Sequence, residues 1–140
     1  MDLLNNLLIG FQSAVTLTNL LYCFVGVSLG TLVGVLPGMG PVATVAMLLP
    51  ITYALDPSSA LIMLAGIYYG AQYGGSTTAI LVNIPGEAAA VVTCLDGHKL
   101  AKLGRAGAAL GVAAFGSFIA GCFATVLIAA FAGTPHARRL

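Results

Sequence analysis

The sequence predicts an all-α integral membrane protein with about four transmembrane or re-entrant helical segments, some interrupted by glycine and proline. Three observations carry this expectation. Hydrophobic residues make up 59% of the chain and charged residues 6%, with a mean hydropathy of +1.04, so there are too few polar groups to cover a water-facing surface. No charge lies between Asp2 and Asp56, a gap long enough for two helical passes of roughly 20 residues each. Glycines also recur at every fourth residue in two apolar stretches, and each stretch closes on Pro and Gly.

The first apolar segment runs from Leu17 to Leu36, long enough to span, and ends at Pro37. A second, from Val42 to about Leu55, is marginal in length and contains Pro50, so it reads either as a tilted span or as a re-entrant piece. Next comes "DPSS", Asp56 to Ser59, a turn with a helix N-cap: Asp and Ser accept from free backbone N–H groups, and Pro suits the first turn. The third segment, Ala60 to Ile84, is expected to break at Gly74 and Gly75. A polar loop, "LDGHKLAKLGRAG" from Leu95 to Gly107, precedes a fourth span from Ala108 to Ala132.

Charge and composition exclude several function classes. A net charge of +1 from only five Lys and Arg gives no basic surface for nucleic acid. Cys23, Cys94 and Cys122 lack CxxC spacing and read as small hydrophobes, so neither a metal nor a disulfide is expected. The start "MDLLNNLLIGF" lacks the basic region of a cleaved signal peptide. Dispersed acids and the absence of a His-Glu-x-x-His or Gly-x-Ser-x-Gly pattern argue against an enzyme. Lys99, Lys102 and Arg105 cluster, which predicts that their loop is cytoplasmic. If all four segments cross once, the N-terminus lies outside, and a re-entrant second segment reverses that. Arg138 and Arg139 would then stand on the wrong side, read here as a sign that the natural chain continues.

Residues four apart share a helix face, so Gly26, Gly30 and Gly34 form a groove for close helix packing, and Gly66 and Gly70 a second one. The proline-glycine elements differ. In "LPGMGP", Pro37 and Pro41 remove N–H donors while Gly38 and Gly40 permit positive φ, so the helix should unwind there. Such a break is either an ordinary turn at the membrane surface or, at depth, backbone that lines a wet cavity and forms transporter sites. In "YGGSTTAILVNIPG", Gly74 and Gly75 precede Ser76, Thr77 and Thr78 in an order that reads as a helix start. Its free N–H groups and hydroxyls would bind an anion. Asn83 adds an amide ahead of a second break at Pro85 and Gly86. The alternative is that these polar residues only bond backbone or a neighbouring helix.

The stretch from Gly30 to Gly111, above all "GVLPGMGP" and "YYGAQYGGSTTAILVNIPGE", closely resembles the large membrane subunit of the tripartite tricarboxylate transporters, the TctA family. The resemblance implies uptake of tricarboxylates or related carboxylates by a permease in the bacterial inner (plasma) membrane, driven by an ion gradient. It also implies two partners, a small membrane subunit (TctB-like) and an extracytoplasmic solute-binding protein (TctC-like). Family members are several times longer, so residues 1–140 are expected to be the N-terminal part of a permease domain. A structural or assembly subunit without transport of its own is the alternative, and a channel lacks the rings of charge it would need. No cofactor is expected beyond a coupling ion, Na+ or H+. Gly74, Gly75, Ser76, Thr77 and Thr78 are the expected substrate contacts. Pro37, Gly38, Gly40, Asn83, Pro85 and Gly86 are the expected broken-helix or cation positions, in a neutral, cation-assisted site.

Overall fold

The computed structural model describes residues 2–132. They form six helices: α1 (Asp2–Ala14), α2 (Leu17–Gly34), α3 (Pro41–Thr52), α4 (Pro57–Val82), α5 (Ala90–Lys102) and α6 (Ala106–Ala132). Two of them, α2 and α6, are long and apolar enough to cross a membrane. The distribution of side chains matches a lipid solvent. On α6, Phe115 is 74% exposed and Phe118 71%, whereas the buried positions of α2 are Asn19, Gly26, Gly30 and Gly34. A water-soluble domain buries its large apolar side chains, so this pattern is inverted. A helix apolar all round, as α6 is, suits hydrocarbon.

The glycine stripes explain how α2 and α4 pack. A methyl group on Gly26 would stand 2.5 Å from the Met63 carbonyl oxygen, and one on Gly30 or Gly34 would collide with the Ile67 or Ala71 carbonyl. From the other side, Gly66 faces the Cys23 carbonyl at 2.8 Å, Gly70 faces that of Val27, and Gly74 faces that of Thr31 at 2.6 Å. Residue numbers rise together along both helices, so α2 and α4 run parallel. Their ends are tied by side chains: Ser59 Oγ donates to Asn19 Oδ1 at 2.6 Å at the start, and Thr78 Oγ1 to the Val35 carbonyl at 2.8 Å near the finish.

Parallel packing dictates what lies between. The chain leaves α2 at one end and must return to begin α4 at the other, so α3 is the return leg. Its N-cap Gly40 lies beside Glu87, past the end of α4, and its Leu48 packs with Met63 and Ile67 near the start of α4. Helix α3 has 12 residues, about 18 Å, shorter than a hydrocarbon core of about 30 Å.

The remaining turns have local causes. Asp56 caps α4 by accepting from the Ser59 N–H at 3.2 Å, with Pro57 in the first turn. Asn83 ends α4 in the left-handed region at φ 62°. Helix α5 closes in a Schellman motif: Gly104 takes φ +76°, its N–H donates to the Ala101 carbonyl at 3.0 Å, and the Arg105 N–H donates to that of Leu100 at 2.9 Å.

Several expectations need correction. Helix α4 runs unbroken through Gly74 and Gly75, so the sequence Gly-Gly-Ser-Thr-Thr is not a helix start. The reason is packing: Gly74 is held against α2, and that contact outweighs the helix-weakening cost of glycine. The polar stretch from Leu95 is mostly helix rather than loop, because α5 continues to Lys102 and places Lys99 and Lys102 in a last turn that favours cations. Helix α1 was not anticipated; its Leu3, Leu4, Leu7, Leu8 and Phe11 lie on one arc, and Asp2, Asn5, Asn6, Gln12 and Ser13 on the other. The first segment closes at Gly34 rather than Leu36. Arg138 and Arg139 lie outside the described residues.

Candidate functional site

The two proline-glycine elements meet. After Asn83 the chain folds back along α4, so that the Gly86 Cα would stand 3.8 Å from a methyl group on Gly75, and the Gly34 carbonyl oxygen 3.9 Å from it. The same turn brings the Glu87 Cβ within 3.6 Å of where a Gly40 side chain would begin. Thr78 completes the junction by donating to the Val35 carbonyl, one of those that α2 leaves open at its end. Gly75 stands about 8 Å beyond the midpoint of α4, and half the hydrocarbon thickness is about 15 Å. With α4 centred in a bilayer, the junction would lie at a depth where irregular backbone must be covered by protein or line a cavity.

A cavity adjoins it. It has a volume of about 360 Å³, within the usual range for small-molecule sites. Its walls come from three helices and the turn: Tyr69, Gln72, Tyr73 and Ser76 from α4, Glu87 and Ala89 from the turn, Thr93 from α5, and Ser117 with Gly121 from α6. Six of these offer hydroxyl or amide groups, and Glu87 alone is charged. Among the described residues, no Lys or Arg lines it. A second cavity of about 490 Å³ between α5 and α6 holds Asp96 and Arg105 beside Ile80.

The expected site residues are divided by this geometry. Gly74 and Thr78 face α2, and Thr78 is 4% exposed with its hydroxyl donating to Val35 and Gly74 carbonyls. Ser76 lines the cavity, its hydroxyl donating to the Gln72 carbonyl at 3.1 Å. Thr77 donates to the Tyr73 carbonyl at 2.9 Å and is absent from the cavity wall. Gly40, Gly75 and Gly86 stand at the junction, while Pro37 and Gly38 are exposed, Gly38 at φ +82° with open space around it. Pro85 is half-buried at the turn, and Asn83 is exposed at the end of α4.

Because α4 is continuous, an anion here meets no helix start at Gly74 and Gly75. Its donors would be the Tyr69 and Tyr73 hydroxyls, the Gln72 amide and the hydroxyls of Ser76, Thr93 and Ser117. Ser76 can turn to a ligand by releasing its bond to Gln72, a weak local contact that helices readily give up.

Glu87, Tyr69, Gln72 and Tyr73 were missed from sequence. The signal for Glu87 was present: it is the single charge between Asp56 and Asp96, and it follows directly on Pro85 and Gly86. Tyr69, Gln72, Tyr73 and Ser76 are spaced three and four apart, one face of a helix that was expected to be interrupted.

The sequence is similar to those of known proteins. Residues 20–137 match the sequence model of the tripartite tricarboxylate transporter TctA family. Over 129 residues, 92% of this chain, the sequence is 65% identical to an uncharacterized 52.8 kDa protein in the TAR-I ttuC' 3' region of Agrobacterium vitis. The matched part is 26% of that relative, so the chain spans about a quarter of its length. No solved structure matches.

Proposed function

The chain belongs to the tripartite tricarboxylate transporter TctA family, and from that premise we propose that it forms part of the membrane permease subunit of a secondary, ion-coupled carboxylate importer. The substrate is a tricarboxylate or a related carboxylate. A solute-binding protein delivers it on the extracytoplasmic side, and a small membrane subunit completes the assembly. The membrane is the bacterial inner membrane. The end carrying Lys99, Lys102 and Arg105 faces the cytoplasm, in keeping with the bias of basic residues, and the start of α2 faces the other side.

One observation carries this reading beyond family membership: the two broken elements converge at Gly40, Gly75 and Gly86 beside a cavity whose largely apolar wall carries several hydroxyl and amide groups. Broken helices meeting at depth are the construction that transporters use for substrate and ion sites. A purely structural subunit needs the α2–α4 seam but has no use for that cavity. In the cavity a carboxylate is held by neutral donors, so its charge is offset by a cotransported cation.

Uptake of a radiolabelled tricarboxylate by membranes holding the full-length permease, its small subunit and the binding protein tests the reading. Uptake that requires all three and responds to an imposed ion gradient is the expected result. Assembly of all three without saturable carboxylate uptake would leave the structural reading in its place.

A further inference from the structure

Glu87 has no role in the reading above, yet it occupies the most connected position in the site. It follows Pro85 and Gly86 in the fold-back turn, its carboxylate approaches Gly40 of the other broken element, and it opens onto the cavity that Ser76 and Gln72 line. An Oε2 atom lies 3.9 Å from where a Gly40 side chain would begin. It is partly buried. The titratable groups sharing the cavity wall are Tyr69 and Tyr73 from α4, and α5 and α6 contribute Thr93 and Ser117, which do not titrate. Among the described residues, no Lys, Arg or His lines the cavity beside the carboxylate. The second cavity, which shares Thr93, holds Arg105 together with Asp96, an opposite charge of its own.

A substrate that is itself a polyanion meets repulsion from an ionised carboxylate in this cavity. A monovalent cation on the carboxylate removes that repulsion, and bound substrate in turn favours the cation, since such coupling is reciprocal. We propose that Glu87 is the residue that couples substrate to cation: its carboxylate carries the cotransported cation, and only the neutralised form admits the carboxylate substrate. The cation is H+, taken up to give the carboxylic acid, or Na+, held by the carboxylate with carbonyl oxygens of the two breaks. This rests on the transport reading and deepens it. A competing role, a negative charge favouring the N-terminus of α5, requires the charge but not the coupling.

The test uses the complete transporter, reconstituted in proteoliposomes with its binding protein, and measures tricarboxylate half-saturation while Na+ is varied at fixed pH and pH at fixed Na+. In the wild type one arm is expected to shift half-saturation by about tenfold, and that arm names the cation. Glu87→Gln, a neutral isostere, is expected to flatten that response to less than about twofold and to abolish gradient-driven accumulation while counterflow of preloaded substrate persists. Glu87→Asp is expected to keep the cation response. A Glu87→Gln variant with the wild-type cation response overturns the proposal, as does loss of counterflow in both variants at normal membrane levels, which would make the residue structural. Wild-type uptake that ignores both cations overturns the coupling proposal alone. Absence of any uptake by the wild type removes the transport reading beneath it.

Discussion

Helix α4 presents two unlike faces, and the difference separates a sealed seam from an open cavity wall. Toward α2 it shows Gly66, Gly70 and Gly74, and the opposing carbonyl oxygens leave no room for a methyl group. Toward α5 and α6 it shows Tyr69, Gln72, Tyr73 and Ser76 around an open volume of about 360 Å³. Both faces use residues three and four apart on the same uninterrupted helix. The sealed face has its polar groups matched within the protein, as Thr78 and Val35 illustrate, and the open face holds donors free to be re-aimed. Small residues in this helix therefore mark where backbones touch, and polar and aromatic residues mark where the cavity opens.

The sealed face is broken most severely by Gly30→Leu. Overpacking a core typically costs about 1–3 kcal/mol where side chains can yield, and here the obstacle is the Ile67 backbone, so the upper end or more is expected. The amount of folded protein recovered from membranes should fall several-fold, while survivors keep their half-saturation for substrate. The control is Gly111→Leu on α6, which meets nothing within 4 Å and should leave yield unchanged. Normal yield for Gly30→Leu would dissolve the distinction between the faces.

Thr78→Val probes the same face more gently. It keeps the shape and removes the hydroxyl, leaving the Val35 carbonyl without that donor, for a stability loss of about 1–3 kcal/mol. Thermal unfolding in detergent should show the loss, and Thr78→Ser should restore most of it. Equal stability of Thr78→Val and wild type would mean that the junction of the two breaks is not held by this bond.

On the open face, Ser76→Ala is expected to raise the half-saturation for tricarboxylate roughly two- to tenfold, the worth of about 0.5–1.5 kcal/mol for one hydrogen bond, with yield intact. Thr77→Ala, one residue on but off the cavity wall, should leave it unchanged. Equal effects in uptake assays matched for membrane protein would show that position on α4 does not decide function.

The smallest effect belongs to Asn83, which sits on neither face. Its left-handed conformation suits Asn and Gly and disfavours Ala by about 1 kcal/mol, so Asn83→Ala should lower the unfolding temperature slightly and Asn83→Gly should not. A changed cation response in Asn83→Gly would instead bring the amide into ion binding.

Much of this was legible in the sequence, and the gaps have physical causes. The glycine spacing anticipated a groove, because a four-residue repeat on a helix has one geometric meaning, and "DPSS" announced the start of α4 through its capping chemistry. The Gly-Gly pair was misjudged because local propensity favours a break there, whereas the outcome depends on α2, a partner that no local pattern reveals. Helix α5 was hidden by its polar residues, which suit a solvated helix as well as a loop. The convergence of Gly40, Gly75 and Gly86 could not be read at all, because it follows from the parallel pairing of α2 and α4 and the fold-back after Asn83.

The claim that the open face of α4 is the substrate site is tested most directly by substrate protection. Cysteine is placed singly at Ser76 and at Thr77 in a complete transporter freed of its native cysteines, and the rate of modification by a small thiol reagent is measured with and without tricarboxylate. Protection of Ser76→Cys by substrate at concentrations near its half-saturation, with none for Thr77→Cys, is the expected result. Equal protection at both positions, or none at Ser76→Cys in a preparation that transports once the binding protein is supplied, would contradict it.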